Sequence, residues 1–429
     1  MSEIIHGNCI EVLKSLDENS IDAIITDPPY ELGFMGKSWD KSGIAFSSEV
    51  WSECLRVLKP GGHMLAFGGS RTFHRIAVAI EDAGFELRDT LMWVYGSGFP
   101  KSHDVSKGID KMLGKEAERE IIGYKRQGTK SMFDGGKPRP ATLPATLPAT
   151  LPATLPATLW EGWGTALKPA FEPIILARKP ISEKNIAENV LKWGTGGINI
   201  DDCRVEYESE TDKSSATPQG RCTAKVGALA GKAQNDRNRT EFNRPPQQGR
   251  WPANFIHDGS EEVLKLFPET KPSKQSERGK VEIFKKENSW VGKSTVRGHN
   301  DSGSAARFFY CAKASRKERN RGLEDLQEKP LLWSSGEKNP GSFQSEGTNK
   351  AAQNNHPTVK PLALMQYLVR LVTPPNGIVL DPFTGSGSTL IAATREGFRY
   401  IGIELNEEYI EIAEKRLQAE QPLFEYNNT

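Results

Sequence analysis

A chain of 429 residues is long enough for two or three domains, or for one enzyme core carrying large insertions. With 37% hydrophobic and 26% charged residues it can build a core, but it holds no apolar run of about 18 residues to span a membrane. Its five cysteines (Cys9, Cys54, Cys203, Cys222, Cys311) are too scattered for a disulfide framework or a zinc site, and the opening MSEIIHGNCI lacks the sections of a signal peptide, so a reducing, cytoplasmic setting is expected.

The first zone, residues 1–100, alternates strands and helices. Ile21–Thr26 (IDAIIT) is a β-branched run halted by prolines, which predicts a buried parallel strand. Glu49–Leu58 has helical spacing and stops at Lys59-Pro60-Gly61-Gly62. His63–Phe67 reads as a strand and Arg71–Ala83 as a helix. Such alternation belongs to a parallel α/β sheet.

The middle zone, 101–355, is polar and weakly periodic. It contains a tetrapeptide repeat, Ala-Thr-Leu-Pro, over 141–159. Proline in every fourth place argues against a helix and predicts an extended surface spacer; the period is too short for a solenoid. Each unit is a whole number of codons, so a change in copy number alters the spacer's length without shifting the frame. Ala170–Ala177 and Ala305–Ala312 read as strands, and Trp251–Leu266 as a turn leading into a helix.

The net charge of +1 conceals an asymmetry: residues 211–320 hold 22 Lys and Arg against 12 Asp and Glu, the rest 34 against 43. A basic middle suits a segment that contacts phosphates, and equally a solvated loop. Arg237, Arg239, Arg244 and Arg250 lie among Asn235, Asn238, Asn243, Gln247 and Gln248, a composition fit for base edges and for a flexible loop alike. Trp160, Trp163, Trp193 and Trp251 read as packing anchors. His257 and His299 have no metal-ligand spacing, and no metal site is expected.

The third zone, 356–429, is strongly patterned: helix Pro361–Val372, strand Gly377–Leu380, a glycine-rich turn Asp381–Ser388, helix Thr389–Glu396, strand Tyr400–Ile403 and helix Asn406–Gln418. Two motifs carry chemistry. In Asp381-Pro-Phe-Thr-Gly-Ser-Gly387 a strand delivers a tight turn that lets backbone approach a ligand, and Glu404 follows 23 positions after Asp381, a spacing that suits a carboxylate on ribose hydroxyls. Leu390 stands where a dinucleotide fingerprint needs its third glycine, and no phosphate-loop lysine is present, so neither NAD nor a nucleoside triphosphate is favoured. Alone, such a turn is also an ordinary strand–helix connection.

The second motif, Asp27-Pro28-Pro29-Tyr30, ends the Ile21–Thr26 strand. An aromatic amine is a poor nucleophile because its lone pair is delocalised. A carboxylate (Asp27) and a carbonyl (Pro28) that accept its N–H groups draw the nitrogen towards tetrahedral geometry, rigid prolines preorganise the acceptors, and Tyr30 offers a stacking face for a base taken out of its helix. The bland reading is an Asp-Pro-Pro turn with Tyr30 in the core.

Together these motifs resemble the amino-methyltransferase family acting on DNA adenine N6 or cytosine N4, in the beta-type order in which DPPY precedes the cofactor motif. Gly7-Asn8-Cys9, Lys59-Pro-Gly-Gly62 and His356-Pro-Thr-Val-Lys-Pro361 fit the same pattern. The resemblance implies a circularly permuted class I S-adenosylmethionine-dependent methyltransferase fold, Rossmann-like α/β with a seven-strand-type sheet and a large target-recognition insertion at 101–355. It implies that Asp381, Phe383, Gly385 and Gly387 line the S-adenosylmethionine pocket, that Glu404 holds the ribose, and that Thr358 and Lys360 lie near the methionine end. Asn8 stands where many members carry an acidic residue near the cofactor adenine. The expected substrate is double-stranded DNA in a bacterial or phage setting, with adenine N6 favoured by the aspartate of the first motif. Cytosine N4, an RNA or protein substrate, and a non-catalytic DNA-binding relic stay open, as do a homodimer and a cognate restriction nuclease.

Overall fold

The computed structural model describes residues 2–32, 42–96, 98, 102–126, 133–134, 137–138, 146–210, 212–213, 249–271, 276–277, 296–297, 302–312, 316–327, 329–330, 351–356 and 358–420. One sheet of nine strands organises them: β1 (Glu3–His6), β2 (Ile21–Thr26), β3 (Leu58–Phe67), β4 (Glu86–Val94), β5 (Phe171–Arg178), β6 (Phe255–His257), β7 (Tyr310–Cys311), β8 (Ile378–Asp381) and β9 (Arg399–Glu404). Their order is β1-β9-β8-β2-β3-β5-β4-β6-β7. β5 is antiparallel to β3 and β4, and every other pairing in this sheet is parallel.

All six residues of β2 are buried, as a strand covered on both faces requires. Alternate side chains feed opposite cores: Ile24, Met64 and Ala177 on one face, Ile25, Leu65 and Leu176 on the other. Helices α1 (Cys9–Ser15), α2 (Ser48–Val57) and α3 (Phe73–Asp82) cover the first face through Leu13, Trp51 and Ile76. Further along the chain come α4 (Val105–Met112), α5 (Leu155–Leu159), α6 (Ile186–Trp193), α7 (Leu362–Val372), α8 (Ser388–Arg395) and α9 (Glu407–Gln418). Of these, α7 and α8 cover the second face through Leu368 and Ala392. The one acid inside β2, Asp22, is satisfied by Lys59 Nζ at 2.6 Å and the Ile378 N–H at 2.8 Å.

Several elements differ from the sequence reading. The sheet has nine strands rather than seven, and three of them, β5, β6 and β7, come from 101–355. Lys59–Gly62 interrupts no strand. It is a bulge within β3, where Ile21 pairs with Leu58 and Ala23 already with His63. Trp251–Leu266 contains β6 before its one-turn helix Glu261–Leu264. Ala305–Ala312 begins as a 3-10 turn, Ala305–Phe308, because Ser304 Oγ caps it by accepting from the Ala306 N–H at 3.3 Å.

The repeat is helical at its end. In α5 Pro156 sits in the first turn, where no donor is needed, and Thr154 Oγ1 accepts from the Ala157 N–H at 3.3 Å. Before it, Thr146–Thr150 is extended and paired antiparallel to Ile121–Arg126. Buried Asp110 on α4 clasps the repeat, accepting from Thr154 Oγ1 at 2.6 Å and the Ala153 N–H at 2.9 Å, and is itself paired with Arg119. Among the described residues no helix is long and apolar enough to cross a membrane, and no group of three or more acidic, His or Cys side chains could hold a metal.

Candidate active site

Because β2, β8 and β9 are parallel neighbours, their carboxyl ends bring Thr26, Asp381 and Glu404 to one edge of the sheet. The two motifs are joined directly: buried Thr26 Oγ1 donates to Asp381 Oδ1 at 2.7 Å. Asp381 also accepts from the Phe383 N–H at 3.1 Å. Burial pushes its carboxyl up to about 6, against the pull of the Thr389 and Thr26 hydroxyls.

In the turn, Gly385 has φ +53° and gives its N–H to Glu404 Oε2 at 2.8 Å. A Cβ there would lie 2.7 Å from His356 Nε2, so the turn tolerates only glycine. Glu404 Oε1 accepts from the Asn406 N–H at 2.8 Å, and burial raises its carboxyl above the usual range. Arg416, buried on α9, donates to Ser386 O and, at 3.1 Å, to Ser386 Oγ. His356 packs edge-on to Tyr409, and burial followed by the nearby Arg319 charge pushes its imidazole down to about 3.

At the other motif, Tyr30 Oη lies 2.9 Å from Asp27 Oδ1 and 2.9 Å from Glu172 Oε2. Lys360 Nζ reaches Asp27 Oδ2 at 2.9 Å, Glu172 Oε2 at 3.0 Å and Tyr30 Oη at 3.0 Å. Burial raises the Asp27 carboxyl, only partly offset by Lys360. Burial alone would lower the Lys360 ammonium, but Asp27 and Glu172 hold it above its ordinary value.

Both motifs open on a cavity of about 1260 Å³. Asn8, Asp27, Pro28, Pro29, Tyr30, Thr358, Lys360, Asp381, Phe383, Gly385 and Glu404 line it; Gly387 does not. Gly387 has φ +80° and faces Ala413 of α9, whose Cβ would stand 2.9 Å from an added Cβ, so it serves helix packing. Asn8 caps α1 by accepting from the Ile10 N–H at 2.9 Å. Lys360, which the resemblance places near the methionine end, is bonded to Asp27 and Tyr30 of the DPPY motif.

Glu172 was not singled out by its sequence. The available signal was one acid, followed by proline, in the otherwise apolar run AFEPIILA. Tyr95 is another lining residue, and burial followed by the Glu172 charge raises its phenol. Of the candidate base readers, Arg250 is committed to Asp212 and lies over the Phe308 ring at 4.8 Å; the others fall outside the described residues, as does His299. Trp160 and Trp163 form an exposed edge-on pair at 5.0 Å rather than buried anchors, and Trp251 is 65% exposed.

A mainly parallel sheet with one antiparallel strand, carrying an acidic proline-rich tetrapeptide and a glycine turn at strand ends around one cavity, defines a class I methyltransferase fold. A DNA methylase family profile matches residues 21–415, and the chain belongs to that family. The type II methyltransferase M.HpaI of Haemophilus parainfluenzae is 40% identical over 116 residues, 26% of this chain and 37% of that protein. The type II methyltransferase M2.DpnII of Streptococcus pneumoniae is 48% identical over 65 residues, 15% of this chain and 24% of its own. The matches thus span well under half the length of these relatives. A crystal structure of an M1.HpyAVI–SAM complex superposes over 97% of this chain and 99% of its own, with 18% identity and a TM-score of 0.38.

Proposed function

We propose that this chain is a site-specific DNA methyltransferase that methylates N6 of an adenine turned out of the duplex, using S-adenosylmethionine. The observation that carries this reading is the junction of the two motifs: residues 27–30 and the 381–387 turn lie on one cavity and are tied by the Thr26–Asp381 bond.

The residues fit the cofactor. A cavity of about 1260 Å³ exceeds the usual range of about 300–1,000 Å³ for small-molecule sites, which leaves room for a nucleoside cofactor beside a base. Gly385 gives backbone access, and each Glu404 oxygen uses one of its lone pairs internally and keeps another for a ribose hydroxyl. Asp381, Phe383, Asn8 and Thr358 complete the wall. Bound there, S-adenosylmethionine supplies an electrophilic methyl group.

The protein's own work lies at the amine. Asp27 and the Pro28 carbonyl accept its two N–H hydrogens and localise the lone pair, and the Tyr30 ring stacks on the base. Aspartate in the first motif position favours adenine N6, and cytosine N4 would use the same groups. The basic stretch 211–320 favours double-stranded DNA as the partner, in the cytoplasm of a bacterium.

Incubation with labelled S-adenosylmethionine and unmethylated DNA, followed by nucleoside analysis, tests the reading. Labelled N6-methyladenine that disappears in an Asp27→Ala variant supports it. Labelled N4-methylcytosine keeps the mechanism and overturns the base. Label confined to RNA or protein overturns the substrate, and cofactor binding without any transfer marks a relic.

A further inference from the structure

Resting on that reading, the buried cluster at Asp27 carries a second one. The ammonium of Lys360 has three donors, and three acceptors take them: Asp27 Oδ2, Glu172 Oε2 and Tyr30 Oη, at 2.9, 3.0 and 3.0 Å. Asp27 Oδ1, Tyr30 Oη and Glu172 Oε2 then stand in a row with two oxygen–oxygen contacts of 2.9 Å each. A phenol has a single proton. With both carboxylates ionised, one of those contacts has no hydrogen in it.

Charge points the same way. Among the described residues Lys360 is the cation that touches both carboxylates, so the cluster is one negative charge in excess. Tyr95, raised by burial and by the Glu172 charge, stays neutral, and the nearby carboxyl of Asp381 adds no positive charge. Burial already holds the Asp27 carboxyl above its ordinary value. One further proton fills the empty contact and neutralises the cluster.

We infer that this place receives the proton the substrate amine loses, and that Glu172 is its terminal acceptor through Tyr30. As the nitrogen lone pair forms its bond to the methyl carbon, that carbon's bond to the donor sulfur would break with its pair going to sulfur, and an N–H bond breaks and leaves its electron pair on nitrogen. The proton passes to Asp27. Tyr30 Oη takes it from Asp27 Oδ1 while giving its own proton to Glu172 Oε2, so Tyr30 ends unchanged. Glu172 returns the proton to solvent between turnovers. Glu172 is thus a positioning and proton-accepting residue that acts through Tyr30 and Asp27 without touching the base.

Glu172→Gln is the decisive variant, because it removes the terminal proton acceptor and leaves the row in place. Lys360 Nζ and Tyr30 Oη both meet Oε2, and a glutamine carbonyl in its place accepts from both but cannot take up a proton. Every contact is kept and the place for a proton is gone. Single-turnover transfer to unmethylated DNA is expected to slow about 100-fold near neutrality. The deficit should shrink as pH rises and hydroxide takes over, while binding of labelled S-adenosylmethionine and of DNA stays unchanged. Tyr30→Phe should show the same pH-dependent deficit, and the double variant should be no slower than the slower single one. A Glu172→Gln profile parallel to the parent's, or a loss equal at every pH, overturns the relay while the parent still methylates DNA. A parent that transfers no label overturns the function reading, and the relay with it.

Discussion

Replacing Thr26 by valine asks whether the hydroxyl joining the two motifs acts through the charge of Asp381. Valine keeps the β-branch and nearly the volume, and Thr26 is fully buried, so packing and strand propensity change little. What disappears is one donor, at 2.7 Å, to a carboxylate that is 2% exposed. A hydrogen bond to a charged group contributes about 1.5–3 kcal/mol. The sign depends on pH. The carboxyl already sits near 6 in the folded chain, above its unfolded value, so its ionised form weakens the fold as pH rises through that range. Removing the donor raises it further and penalises only the ionised form. In urea unfolding the variant should therefore lose about 2 kcal/mol at about pH 8 and less than about 1 kcal/mol at about pH 5. An equal loss at both values would show that the hydroxyl matters for packing alone, and no loss at all would show that the bond is not formed.

Gly387→Ala combines a strained φ of +80° with a clash against Ala413, and should cost about 1–3 kcal/mol by thermal unfolding, a larger loss than Gly397→Ala, where φ is +76° but no atom lies near. His356 is held neutral down to about 3, whereas an unfolded imidazole takes a proton near 6.5. The unfolded chain then binds the extra proton, so stability should fall as pH drops from about 6.5 towards 3, and His356→Gln should flatten that part of the urea-midpoint curve.

What the sequence discloses here is what short-range pattern can carry. β2 is legible because a strand buried on both faces is written as an apolar run, and the 381–387 turn because two positive-φ glycines follow a strand. The strand β5 is just as clear as an element, yet its place between β3 and β4 depends on pairings such as Leu65 with Leu176, which no local periodicity encodes. β6 and β7 are too short, at three and two residues, to show a period. For the same reason Glu172 passed as an ordinary strand residue, and Lys360 was read with its neighbours in the His356–Pro361 motif instead of with Asp27. Gly387 was grouped with Gly385 by the family resemblance, although one faces the cavity and the other a helix. The reading that proline excludes a helix failed at α5 because position within the first turn, and not residue type, decides.

The pairing of β2 with β8 joins residues more than three hundred and fifty positions apart, as the Thr26–Asp381 bond shows. A ribosome that has reached Val372 has made the whole DPPY tetrapeptide but not the strand beside it, nor the one that closes on β1. Until then one edge of β2 is unpaired and its apolar residues lack part of their cover, a surface that other nascent strands can join. The edge that carries both motifs is therefore completed only once β8 and β9 are made, and until then the same residues that will line the cavity border an open strand edge.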